Sequence, residues 1–462
     1  MKILSTTYNY NISNKQKRNI KSSPTISKKK ITAATTSIAA LGVVAGSITY
    51  LHNKNNYINK LAIDLSKELN KKITSKDLKS VVSREELIKL FASLKEENFI
   101  ASPENIKNGI YIADLHSHTI FSDGTIAVKD FLNQAAEYGN KLNKINGKKF
   151  IVAISDHDGI EGAKEALKII AQEPDKYKNI KFVPASEVSF VMPCSEASER
   201  HKRFNSSVEM PEMLVYGINP FSKETNKFFQ EIYRKRKEQA EIAINEAKKI
   251  YSNINYSIKE YAQIFNPHNK FCFLNQHWKI WNYLHTKTRV ANIAKEQNEN
   301  AEALYSRIAT QVRDLTPYSL NQYLEKNNSP NKSKMLDARI SDFLHKEIFP
   351  NKLDDINVHS NYEINFKDIV NFAKKENALI GFAHPGFTMQ NFTEPEMRNK
   401  LQYYINNSEG TLKFIEKYHQ AYPVGKEISL EELKQYNILI DELDLIQIGG
   451  HDNHSKFLLP TF

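Results

Sequence analysis

Short apolar runs that stop at histidine, aspartate or glutamate recur along this chain, and helical spacing fills the gaps between them. That rhythm restricts the fold more than any other feature. Tyr111–Leu115 runs into His116 and His118, and Phe150–Ile154 into Ser155-Asp-His-Asp158. Lys181–Ala185 leads to Ser186-Glu187, and Met213–Gly217 is a further apolar run. Ala378–Ala383 ends at His384, Leu412–Tyr418 at His419, and Leu443–Ile448 at Gly449-Gly-His-Asp-Asn-His454. Between the runs, Val128, Phe131, Leu132, Ala135 and Ala136 share one helical face, and Gly139-Asn140 is expected to end that helix. Further helices are expected over 162–171, 228–251 and 366–375. Seven strands alternating with helices argue for a parallel, barrel-like α/β fold. In such folds the reactive groups sit on loops after the strands, gathered at one mouth. Seven of the fourteen histidines (116, 118, 157, 384, 419, 451 and 454) lie in or beside these turns, so a chance scatter is a poor account of them.

The first turn shows the chemistry. In an extended chain His116 and His118 project from the same face. Two imidazoles at a strand end, with Asp123 five residues on, are a partial metal site in need of further ligands. Ser122-Asp-Gly124 alone would read as an ordinary turn; the other ligand-bearing turns decide for the metal. Cys194 and Cys272 are the only cysteines, which excludes a disulfide framework and a thiolate zinc site.

The flanks differ from this body. Residues 1–30 form a basic tail whose eight Lys and Arg carry +8 of the net +11, leaving +3 for the rest, so the folded body is not a basic nucleic-acid surface. Residues 31–51 lack charge and are about long enough to enter or cross a bilayer, as an anchor or an export signal. Residues 52–108 read as a helical extension, with Ser83-Arg-Glu-Glu86 as a capping box. Residues 221–365 interrupt the rhythm with charged helices and aromatic residues such as Trp278 and Trp281, and read as a helical insertion. The barrel would then consist of 109–220 and 366–462.

Taken together, Asp114-Leu-His-Ser-His-Thr119, Ile154-Ser-Asp-His-Asp158, Ser186-Glu187, Ala383-His-Pro385 and His451-Asp-Asn-His454 resemble the PHP (polymerase and histidinol phosphatase) family of metal-dependent phosphoesterases. The motifs stand in the family's order, and the nearest branch is that of nucleotide and oligonucleotide phosphoesterases. The resemblance implies a distorted (β/α)7 barrel with the helical insertion as a lid and up to three divalent ions, Mn²⁺, Fe²⁺ or Zn²⁺. It implies that His116, His118, Glu187 and Asp452 hold the first ion. Glu187 would bridge to a second ion, also held by His384, and Asp123, His157 and His454 would hold a third. One position departs from the family. A histidine is usual at the start of the fourth strand, and Glu212 stands there instead, with His201 in the preceding loop as the other candidate. Asp158, Arg289 and His419 are the candidates for catalysis, Arg289 because it resembles the family's phosphate-binding arginine. The expected reaction is hydrolysis of a phosphate ester of a nucleotide or short oligonucleotide by metal-activated water, with no duplex nucleic acid as partner. The alternatives are a phosphatase of a small non-nucleotide metabolite and a catalytically weak, metal-stabilised binding module.

Overall fold

The computed structural model describes residues 56–92, 111–193 except 123 and 125, 208–250 except 210, 364–385, 394–419, 439–450 and a few single positions, among them Asp452. The basic tail, the apolar segment 31–51 and most of the insertion lie outside the described residues. Among the described residues no helix is long and apolar enough to cross a membrane.

Seven strands form one sheet in the order β1 (Ala113–Asp114), β2 (Phe150–Ile154), β3 (Ile180–Ser189), β6 (Glu212–Tyr216), β7 (Leu379–Phe382), β8 (Leu412–His419) and β9 (Ile446–Gly450). A separate two-stranded ribbon pairs β4 (Met192–Pro193) with β5 (Val208–Glu209). The sheet curls into a nearly closed barrel. No ladder joins β9 to β1, but a Cβ placed on Gly450 would lie 2.3 Å from His116 Cβ, so only glycine admits so close an approach there. Every residue of β2 is buried, as expected of a strand covered on both faces.

The expectation of an all-parallel barrel needs one correction. β1, β2 and β3 are mutually parallel, as are β7, β8 and β9, but β6 runs antiparallel to both its neighbours, β3 and β7. An apolar run carries no mark of its direction, so the sequence could not show this. The consequence is local and large. Ser189, at the end of β3, pairs with Glu212, at the beginning of β6. The first residue of β6 therefore stands at the same rim as the last residues of the parallel strands.

Helices cover the barrel. They are α1 (56–69), α2 (Arg84–Ala92), α3 (Val128–Asn146), α4 (Glu161–Gln172), α5 (Lys223–Ile250), α6 (Phe366–Glu376) and α7 (Glu394–Asn407). α3 does not stop at Gly139-Asn140. It runs on to Asn146, where Gly147 closes it with φ 71°. Gly139 serves packing instead: a Cβ there would lie 2.6 Å from the Asn179 carbonyl oxygen. At the head of α2 Ser83 and Glu86 meet as the capping box requires. The Glu86 N–H donates to Ser83 Oγ at 3.3 Å, while the Glu86 carboxylate turns to Lys181 Nζ at 2.5 Å.

The 56–92 extension lies at the barrel end away from the β3–β6 rim. Val81 bridges to Phe182 early in β3, Tyr57 donates to the Ile218 carbonyl, and Arg84 donates to Asn377 just ahead of β7. On the outside, α5 packs on α6 through Phe228 and Phe372, whose rings stack at 4.1 Å.

Candidate metal centre

The rim gathers a set of imidazoles and carboxylates from six strands or their following turns. His116 and His118 follow β1, His157 follows β2, Glu187 lies in β3, Glu212 opens β6, His384 follows β7 and Asp452 follows β9. Glu187 stands at the middle. Its Oε2 is 3.1 Å from His116 Nε2, 3.4 Å from His118 Nε2 and 3.1 Å from His157 Nδ1. Its Oε1 is 3.0 Å from His384 Nε2. One carboxylate thus meets four imidazoles, and its side chain is fully buried.

Two groups form around it. In the first, Asp452 Oδ1 lies 2.9 Å from His118 Nε2 and 3.4 Å from His116 Nε2. The donor atoms of His116, His118, Glu187 and Asp452 all lie within 4.8 Å of one another. In the second, Glu212 Oε1 is 3.4 Å from His157 Nδ1 and its Oε2 is 3.4 Å from His384 Nε2. The donor atoms of His157, Glu187 and Glu212 again lie within 4.8 Å of each other. His116 Nε2 and His118 Nε2 face each other at 3.1 Å beside the same carboxylate oxygens. Lone pairs converging in this way, without a thiolate among them, fit a divalent cation.

His157 also faces the shared carboxylate. The resemblance sets it with Asp123 and His454, which lie outside the described residues. Here its ring stacks on that of His118 at 4.4 Å, and its Nδ1 faces Glu187 and Glu212. Arg289, His201 and His451 also lie outside the described residues. His419 ends β8, and its side chain is not among those described. Asp158, also a candidate for catalysis, is held from two sides. Its Oδ2 accepts from Arg236 Nε at 3.0 Å and Nη2 at 2.6 Å, and its Oδ1 accepts from the Ser189 N–H at 2.8 Å. The carboxylate is committed to a buried ion pair with α5.

A second layer holds these groups. Asp156 accepts from the Thr119 N–H at 2.7 Å and from Ser122 Oγ at 2.7 Å, which ties the turn after β1 to the turn after β2. Glu416, buried in β8, meets His116 Nδ1 with both oxygens, at 3.1 and 3.0 Å. It also accepts from the His384 N–H at 2.8 Å. Such a carboxylate fixes the ring's orientation and leaves Nε2 for the cation. Backbone conformation adds to the picture. Asp158 (φ 46°), His384 (φ 24°) and Asp452 (φ 44°) all adopt left-handed backbone, which is uncommon outside glycine although Asp and His enter it more readily than most residues. Strain of this kind concentrates at working sites.

The electrostatics of the metal-free site follow from crowding. Burial opposes charge on His116, yet Glu187, Glu416 and Asp452 together hold its pKa well above the ordinary histidine range. Burial likewise opposes charge on His384, but the Glu187 hydrogen bond and the carboxylates around it push its pKa up to about 9. Glu187 is driven the other way. Burial would raise its pKa, but His116 and His157 hold it well below the usual carboxylate range. Glu212 is pushed up to about 7, by enclosure first and by the charge of Glu187 second. The site therefore holds protons that a cation must displace. Because His384 stays protonated until the pH passes about 9, apparent metal affinity is expected to rise as the pH climbs toward that value. Titration calorimetry at pH 7 in buffers of different ionisation enthalpy should show proton release; heats independent of the buffer would contradict it.

No family model matches this sequence, and no curated protein does. Among solved structures, the chain is similar to an amidohydrolase from Chromobacterium violaceum with bound sulfate and no metal. The TM-score is 0.44 at 15% identity, over 76% of this chain and 89% of that one. It is also similar to a candidate metal-dependent phosphoesterase from Bifidobacterium adolescentis, with TM-score 0.43 at 14% identity, over 74% and 87%. At these scores the likenesses say nothing about chemistry.

Proposed function

We propose that this chain is a metal-dependent phosphoesterase of the PHP kind that hydrolyses a phosphate ester of a nucleotide or short oligonucleotide. The observation that carries the reading is the single buried Glu187 carboxylate shared by four imidazoles and by two groups of donors. His116, His118, Glu187 and Asp452 would hold one cation, and Glu187, Glu212, His157 and His384 would frame a second. When bound, a pair of such ions would supply an activated water at neutral pH and offset the negative charge that develops on the phosphoryl and leaving oxygens.

The chain's own residues supply the rest. Glu416 aims His116 and fixes the His384 backbone, so it orients both groups at once. Asp156 keeps the first two turns in register. We assign Asp158 to positioning: it ties the turn after β2 to Arg236 on α5, the first helix of the insertion. Arg289 and His419 remain the candidates for contact with the phosphate and the leaving group.

The test uses the full chain, stripped of metal and then given Mn²⁺, Fe²⁺ or Zn²⁺. Phosphate release is followed from 5′-AMP, a 3′,5′-bisphosphonucleotide and a phosphorylated non-nucleotide ester. Metal-dependent turnover of a nucleotide, absent in His116→Ala, is the expected result. Preference for the non-nucleotide ester would move the substrate to a small metabolite. Metal binding that raises the melting temperature, with no turnover of any ester, would replace the enzyme by a binding module.

A further inference from the structure

The two groups around Glu187 share that residue but differ in composition and in access to solvent. Around His116 and His118, two imidazole nitrogens meet one oxygen of Glu187 and one of Asp452. Around Glu212 the balance tilts toward oxygen. Glu187 and Glu212 each turn one oxygen to His157 and the other to His384, at 3.1 and 3.0 Å for Glu187 and 3.4 Å in both directions for Glu212. The compact group there, His157 with Glu187 and Glu212, sets one imidazole beside two carboxylates, against two beside two around His116. The Glu212 side chain is also 24% exposed, whereas those of His116, His118 and Glu187 are fully buried. A cation held there can keep water among its ligands.

We infer that the position framed by Glu212 takes a hard, oxygen-seeking divalent cation of the Mn²⁺ class, and that Glu212 sets this preference against zinc. The inference rests on the metal reading above and adds the kind of ion and the residue that selects it. Zn²⁺ outbinds Mn²⁺ at most nitrogen and oxygen sites, but carboxylate and water narrow that gap and imidazole widens it, so exchanging one carboxylate for an imidazole shifts the relative affinity toward zinc at fixed geometry. The antiparallel course of β6 makes this possible, because it sets the first side chain of that strand across from Ser189 at the rim. Ser189 Oγ also lies 3.4 Å from Glu212 Oε1.

The experiment compares the full chain with Glu212→His and Glu212→Gln, each stripped of metal and titrated with Mn²⁺, with Zn²⁺ and with mixtures. Bound Mn²⁺ is read by electron paramagnetic resonance and total bound metal by mass spectrometry. In Glu212→His the ratio of Mn²⁺ to Zn²⁺ affinity should fall by about ten-fold or more at one position only, with the other position unchanged. Glu212→Gln should lose Mn²⁺ there without gaining zinc, which keeps the test open if the histidine variant does not fold. An unchanged ratio in both variants, with metal still bound, would overturn this inference and leave the metal reading standing. A wild-type chain that binds no divalent cation would overturn both.

Discussion

Replacing Glu187 by glutamine should leave the protein unable to retain divalent metal through dialysis, and unable to gain melting temperature when metal is added. Glutamine keeps the volume but offers one acceptor oxygen and an amide that donates, where four imidazoles now meet two carboxylate oxygens. Losing an outer partner of a metal ligand costs about 10–100-fold in affinity. Loss of the one group common to both clusters should exceed that range. The negative charge goes as well, and with it one of the groups that hold His116 well above its ordinary pKa. Bound metal measured by mass spectrometry decides the matter: full retention by Glu187→Gln would mean that the two clusters do not share a ligand.

Asp158→Ala should destabilise the fold by about 3–5 kcal/mol, because it leaves the Arg236 guanidinium buried without this carboxylate. The side chains of both partners are nearly inaccessible, at 3% and 2% exposure, so water cannot replace what is lost. The double variant Asp158→Ala with Arg236→Met should recover most of the loss, since an apolar pair in place of a buried ion pair is often neutral. Urea unfolding of the wild type and the two variants tests this. Equal losses in the single and double variants would show that the cost does not come from an unpaired buried guanidinium.

Much of the barrel and most of the described candidate ligands were legible in the sequence. β2 and α6 fall within a residue of their expected bounds, because a continuous apolar run and a strong amphipathic period leave few alternatives. The convergence of His116, His118, Glu187, Glu212, His384 and Asp452 also follows the motif order. What escaped was tertiary. Glu416 shares a face of β8 with the buried Phe414 two residues earlier, and a carboxylate on that alternation was the available signal. Arg236 could not be told from its neighbours, since Arg234-Lys-Arg-Lys237 reads as a solvated helix face. Only the fold shows that Lys235 and Arg236 are buried while Arg234 and Lys237 are exposed. The grouping of His157 with Glu212 depends on the direction of β6, which no residue type encodes.

That reversed strand also governs how the barrel can change. Because β6 descends from the rim and β7 climbs back, Tyr216 and Leu379 are paired neighbours at the opposite end. Residues 217–378 therefore leave and rejoin the barrel at almost one point. Closing such an excursion costs little that depends on its length: about 0.6 kcal/mol for each doubling. The segment is in effect a graft site, where sequence can be added, shortened or exchanged with small effect on the strands. The constraints that remain are α5, whose Arg236 must still reach Asp158, and α6, whose apolar face packs on the barrel, so the freedom lies between those two helices. Substrate range could drift through this segment while the cation-binding rim stays fixed.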